Sequence, residues 1–183
     1  MISRFLTVAI CAVGLLSATC ANADPGINPF SNFLAFFTAI PRQMVSFPTN
    51  YPPGTVIVRT AERRLYLVTA KGEALRYGIG VGRDGFTWHG IETVTDKREW
   101  PDWTPPPEML RRRPDLPHHM AGGPANPLGA RALYLGGTNY RIHGSNEPHT
   151  IGTAASAGCI RMTNNDVIDL YSRVRIGATV VVQ

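Results

Sequence analysis

From residue 55 onward apolar side chains recur at every second position, the period of a strand with one buried face. "TVIVRT" (55–60) is followed by a polar turn, then "RLYLVTA" (64–70), a turn at residues 71–73, and "ALRYGIGVG" (74–82). Short runs of Val, Ile, Leu and Tyr between turn residues predict a β-meander. Residues 84–100 predict a further strand pair, and "ARALYLGG" (130–137) and "NYRIHG" (139–144) two more strands, the second delivering His143 at its end. Between them, residues 101–129 are rich in proline and glycine. A loop that long inside a domain usually serves as a lid or a binding wall.

The period changes once. In "TNNDVIDLYSRVRIG" (163–177), Val167, Leu170, Tyr171 and Val174 fall at i, i+3, i+4 and i+7, one face of a helix. Thr163 is its N-cap, Asp166 supplies an acidic form of the capping box, and Gly177 ends it. "ATVVVQ" (178–183) closes as a buried strand. The pattern predicts a mainly β domain with one short helix, spanning residues 51–183 and opening at the "NYPPGT" turn. Ahead of it, residues 24–50 carry Phe30, Phe33, Phe36 and Phe37 among prolines. That segment fits either a short packed helix or a poorly ordered linker.

Residues 1–23 follow a different logic. Arg4 precedes a short apolar run (5–16), and Ala21-Asn22-Ala23 offers a small-x-small cleavage site, the pattern of an export leader. The run is short for a membrane span, and Thr19 fits poorly ahead of a lipidated Cys20. Cleavage after Ala23 is therefore expected over lipidation or a retained anchor. It leaves an exported protein, periplasmic or wall-associated, with no stable membrane span. Cleavage also changes the cysteine count: of three, Cys11 and Cys20 leave with the leader and Cys159 remains alone. Oxidising compartments usually pair thiols or omit them, so a lone one needs a reason, either chemistry or packing as a small hydrophobe.

Hydrophobic content of 44% and charged content of 17% exclude a disordered chain. The net charge of +5 becomes +4 once Arg4 is lost, which suits a polyanionic partner such as a wall polymer. No Lys/Arg run interleaves with aromatics, so no nucleic-acid partner is expected. "GVGRDG" (80–85) satisfies G-x-G-x-x-G, but it lies within a meander with no helix opening after it, so no dinucleotide site is expected. His89, His118, His119, His143 and His149 lack helical i, i+4 pairing, and no second cysteine would complete a zinc site.

The stretch "HGSNEPHTIGTAASAGCIRM" (143–162) carries the strongest chemistry. An imidazole near a thiol can take its proton and turn it into a nucleophile. A glycine-rich connection can fold Cys159 back onto His143, and Gly158 leaves backbone N–H groups free to face an oxyanion. The dipole of the following helix would favour thiolate if its N-terminus points that way. Arg161 adds a fixed positive charge that either binds a substrate carboxylate or pairs with an acid such as Asp166.

These residues resemble the signature of the L,D-transpeptidase catalytic domain (YkuD-like), the cysteine enzymes of bacterial peptidoglycan cross-linking. The match lies in Ile142-His143-Gly144 and Ser156-Ala157-Gly158-Cys159-Ile160-Arg161. It extends over roughly residues 51–183 through "PPGTVIV", "RLYLV", "YGIGVGRDG", "EWPDWTPP" and "NPLGARALYL". The resemblance implies a mixed β-sandwich with a long loop over the cleft. It implies that Cys159 attacks the carbonyl of the third residue of a tetrapeptide stem and expels D-alanine, with His143 moving the proton. It further implies oxyanion donors around Gly158 and Cys159, and His143 oriented by the Gly144 carbonyl or the Ser145 hydroxyl. Tyr140, Ser156, Arg161 and residues 120–123 become cleft residues. Neither metal nor organic cofactor is implied. The partners implied are peptidoglycan stem peptides, with a second stem or an envelope protein as acceptor. Ala157 stands where the family often has His or Arg, and "FTWHGIET" replaces a Thr-Pro-x-Gly turn. Sortases space histidine and cysteine further apart and papain-like enzymes reverse their order. The remaining alternatives are an L,D-carboxypeptidase and a wall-binding module with a structural thiol.

Overall fold

Alternation along the strands sorts apolar side chains into two layers. The computed structural model describes residues 40–183. The expected leader (1–23) and most of the segment before the domain lie outside the described residues. The strands are β1 (Gln43–Ser46), β2 (Val56–Arg59), β3 (Arg64–Ala70), β4 (Glu73–Gly78), β5 (Val81–Gly82) and β6 (Gly90–Glu99). Then follow helix α1 (Pro107–Arg112), β7 (Arg131–Leu135), β8 (Arg141–His143), a 3₁₀ turn (Pro148–Thr150), β9 (Ala154–Ser156), β10 (Ile160–Arg161), helix α2 (Asn164–Arg173) and β11 (Thr179–Val182).

Nine strands join in the order β1-β4-β3-β2-β11-β6-β7-β8-β10, and β5 pairs with β9 separately. The C-terminal strand β11 sits mid-sheet, parallel to β2 and antiparallel to β6. Val56, Val58, Leu65, Leu67, Val180 and Val182 face the main core, while Ile57, Tyr66, Val68 and Val181 face a smaller cluster on the other side. This is the period of two made physical, since successive side chains point to opposite faces. β6 is long enough to serve two neighbours: residues 90–93 pair with β11 and 94–99 with β7, with a register shift between Val94 and Asp96.

Helix α2 packs Val167 and Leu170 into the main core. Thr163 caps it as expected, its hydroxyl accepting the Asp166 N–H at 3.2 Å. The Asp166 carboxylate faces Arg42 at 3.6 Å. The Tyr77 hydroxyl donates to Asp169 at 2.6 Å, and Lys97 Nζ donates to the Tyr171 and Val174 carbonyls at 2.6 and 2.7 Å. The second contact occupies carbonyls that a helix C-terminus otherwise leaves unpaired.

Four expectations need correction. Residues 84–100 form one strand, not a pair, because Arg83–Phe86 closes a turn (Phe86 N–H to Arg83 O, 2.8 Å) with Gly85 at φ +80°. α1 is a second helix, inside the long loop, with Pro107 at its start, Glu108 in its first turn and Arg111 and Arg112 in its last. α2 ends at Arg173, with Val174 already extended, ahead of Gly177. Finally, Gln43–Ser46 adds an edge strand to β4, so sheet pairing begins before residue 51.

Candidate active site

A short parallel pairing brings the chain segments that carry Cys159 and His143 side by side. β10 runs beside β8 with Ile160 opposite Ile142 and Arg161 opposite His143. Both isoleucines are buried in the main core, at 2% and 0% exposure. Alternation therefore sends Arg141 and His143 of β8, with Arg161 of β10, to the opposite face, and Cys159 is the residue directly before β10. The Met162 N–H donates to the His143 carbonyl at 2.8 Å and continues this pairing.

His143 is buried, and its Nδ1 lies 2.6 Å from the Gly144 carbonyl. A carbonyl only accepts, so Nδ1 carries the proton and Nε2 is the free base. Burial, with the charges of Arg161 and Arg141, pushes its pKa down to about 4, against the pull of the Gly144 carbonyl. Cys159 is half-buried and free, and its thiol points at the Asn139 carbonyl at 3.7 Å. Burial pushes this thiol up, opposed by Arg141 and Arg161. The resting pair is therefore neutral thiol and neutral imidazole, suited to general-base activation on attack.

The loop before Cys159 is held from several sides. Gly158 adopts φ +105°, and a Cβ there would lie 2.6 Å from Tyr140 Cε1. Its carbonyl accepts the Trp88 indole N–H at 2.9 Å, and Trp88 stacks on Tyr140 with centroids 4.4 Å apart and planes at 5°. Ser156 is buried; its hydroxyl accepts the Gly158 N–H at 3.1 Å and donates to the Cys159 carbonyl.

These contacts correct several expected roles. The Gly158 N–H is engaged by Ser156 instead of standing free for an oxyanion, and the Ser156 hydroxyl bridges Gly158 and Cys159 within the loop. Gly144 orients His143, whereas the Ser145 hydroxyl accepts the Glu147 N–H at 2.9 Å. Arg161 pairs with Glu147 at 3.0 Å, not with Asp166. Of residues 120–123, Met120 pairs with Trp103, and the Gly122 N–H donates to Asp102 at 2.9 Å, closing the base of the long loop. The α2 N-terminus braces the turn after β8: Asn164 Oδ1 accepts the N–H groups of Ala130 (2.9 Å) and Ser145 (3.3 Å).

A sequence profile described as the L,D-transpeptidase catalytic domain, YkuD, matches residues 53–182. The chain belongs to this family. The probable L,D-transpeptidase ErfK/SrfK of Escherichia coli K12 is 35% identical over 167 residues, covering 86% of this chain and 52% of its own. The chain thus spans about half the length of the curated relatives it matches. A solved Brucella melitensis protein, described as a probable carnitine operon oxidoreductase, is 47% identical with TM-score 0.54, over 79% of this chain and 94% of that one. An L,D-transpeptidase from Mycobacterium smegmatis shares the fold at 18% identity and TM-score 0.56, over 70% of this chain and 58% of that one.

Within this L,D-transpeptidase domain, four contributors escaped the sequence. Trp88 lies in the stretch that departs from the family turn, and an aromatic among polar turn residues was its one signal. Arg141, Asn139 and Asn164 carried none, because their roles come from neighbouring chain segments. The long loop reaches the same wall through Arg112 of α1, whose guanidinium lies 5.4 Å over the Phe86 ring, with Arg83 over that ring at 4.5 Å. The Phe86 carbonyl lies 3.3 Å from where a Gly158 Cβ would stand.

Proposed function

We propose that this protein is an exported cysteine acyltransferase acting on peptidoglycan tetrapeptide stems, in the periplasm or at the wall. The observation that carries this reading is the His143 imidazole, oriented through Nδ1 by the Gly144 carbonyl, on a strand that pairs with the one entered directly after Cys159. Cys159 Sγ attacks the carbonyl of the third stem residue while His143 Nε2 takes the thiol proton. Of the two amides expected to hold the oxyanion, that of Cys159 takes the role, the Gly158 N–H being engaged by Ser156. The C–N bond then breaks, His143 returns the proton to the leaving D-alanine amine, and a thioester remains. An amine of a second stem closes a 3→3 cross-link, or an envelope-protein amine becomes attached to the wall. Export without a retained anchor agrees with the leader pattern. Among the described residues, no helix is long and apolar enough to cross a membrane.

Purified tetrapeptide muropeptides incubated with wild type and Cys159→Ser test this reading. Wild type is expected to release D-alanine and form dimers, and Cys159→Ser to do neither. Release that survives the substitution would refute the cysteine mechanism. Tripeptide without dimer would assign carboxypeptidase activity instead, and binding without turnover a wall-binding module.

A further inference from the structure

We propose that Arg141 is the counter-ion of the Cys159 thiolate. This rests on the cysteine-nucleophile reading above. Ile142 pairs with Ile160, so Arg141 and Cys159 are the residues directly before a paired position on neighbouring segments. Guanidinium and thiol also converge on one atom. Arg141 Nη1 donates to the Asn139 carbonyl at 3.0 Å, and Cys159 Sγ approaches the same oxygen at 3.7 Å. The guanidinium is held in place over the Tyr134 ring, 5.1 Å from its centroid. Its Nε is buried without a hydrogen-bond partner.

This arrangement treats the two protonation states differently. With the S–H intact, sulfur donates to the Asn139 carbonyl. When the S–H bond breaks and the proton passes to His143 Nε2, sulfur carries the electron pair and becomes an acceptor. Its contact with the carbonyl turns repulsive, and the donor already at that oxygen is the Arg141 guanidinium. No oxidation state changes in this step.

The other charged groups around the thiol are spoken for. Arg161, from β10, pairs with Glu147 at 3.0 Å. Arg83, from the turn after β5, and Arg112, from α1, lie over Phe86. His143, from β8, is neutral near pH 7. Ala157 brings no polar group. Among the described residues Arg141 has no acidic partner within salt-bridge distance. Burial pushes the thiol up; the Arg141 backbone N–H opposes it first, then the Arg141 guanidinium, ahead of Arg161.

The test is the pH profile of iodoacetamide alkylation at Cys159 in the full chain, read by peptide-resolved mass spectrometry. Wild type, R141K and R141M are compared, with R141Q in place of R141M should the apolar variant not fold. Loss of the charge is expected to raise the midpoint by about one pH unit, or about tenfold slower alkylation below it, the effect of removing a nearby opposite charge. R141K should keep the wild-type midpoint to within about 0.3 pH unit, since the cation is retained. An unmoved midpoint in R141M, or an equal shift in both variants, overturns the proposal. D-alanine release by wild type and Cys159→Ser is measured alongside. Release that persists in Cys159→Ser sinks the nucleophile reading, whereas normal release with an unmoved R141M midpoint sinks the counter-ion alone.

Discussion

Trp88 shows how one side chain can hold the loop before Cys159 from outside that loop. Its indole N–H bonds the Gly158 carbonyl at 2.9 Å, and its ring stacks on Tyr140, which closes the space beside Gly158. Trp88→Phe keeps an aromatic stack but deletes the bond. A buried hydrogen bond is worth about 1 kcal/mol, so D-alanine release should fall about five- to tenfold in kcat with KM nearly unchanged. Wild-type kcat in Trp88→Phe would show that the loop is held without it. Ser156, Gly158 and Asn164 make the same point at this scale: small or amide-bearing residues position backbone, and the reacting groups inherit that position.

At the scale of elements, α2 links core to site. Val167 and Leu170 anchor it in the core, and Asn164 at its start ties the chain before β7 to the chain after β8. Its N-cap was legible because the Thr163 hydroxyl acts on an amide three residues away, a local interaction. Thr163→Ala should cost about 1 kcal/mol, lowering the urea midpoint with the m-value unchanged. An unaltered midpoint would mean that packing alone defines this end of the helix. The meander was equally legible, since β2, β3 and β4 alternate over whole strands. β1 was not, because Gln43–Ser46 is a mostly exposed edge strand of four residues with little apolar pattern to read. α1 was hidden by its neighbours: six residues with no buried position, set among prolines, read as loop.

For the whole molecule, buried neutral His143 couples stability to pH. Its folded-state pKa is about 4, below the ordinary 6.5, so between these values the unfolded chain binds a proton that the native state refuses. The stabilisation is fully present above pH 6.5 and is lost as pH falls through 4. The total is about 3 kcal/mol, from the shift at roughly 1.4 kcal/mol per pH unit. Urea unfolding of wild type and His143→Gln at pH 7.5 and 3.5 should show the variant losing less stability in acid. Equal losses would place the acid sensitivity in the carboxylates, such as Asp169, whose pKa is held down by Arg173 and Tyr77 against desolvation.

Two kinds of information meet in this protein. Local geometry was written in the chain: the period of the meander, the helix after Thr163, and the presence of His143, Cys159 and Arg161 in one stretch, all within reach of covalent spacing. Tertiary structure decided that β11 inserts between β2 and β6, and that β10 lies parallel to β8 with Arg161 opposite His143. It also decided which polar group each site residue meets: Gly144 for His143, Glu147 for Arg161, Trp88 for Gly158, Asn139 for both Cys159 and Arg141. Periodicity follows from the backbone of each residue, whereas strand pairing and hydrogen-bond choice follow from elements far apart in sequence competing for the same space.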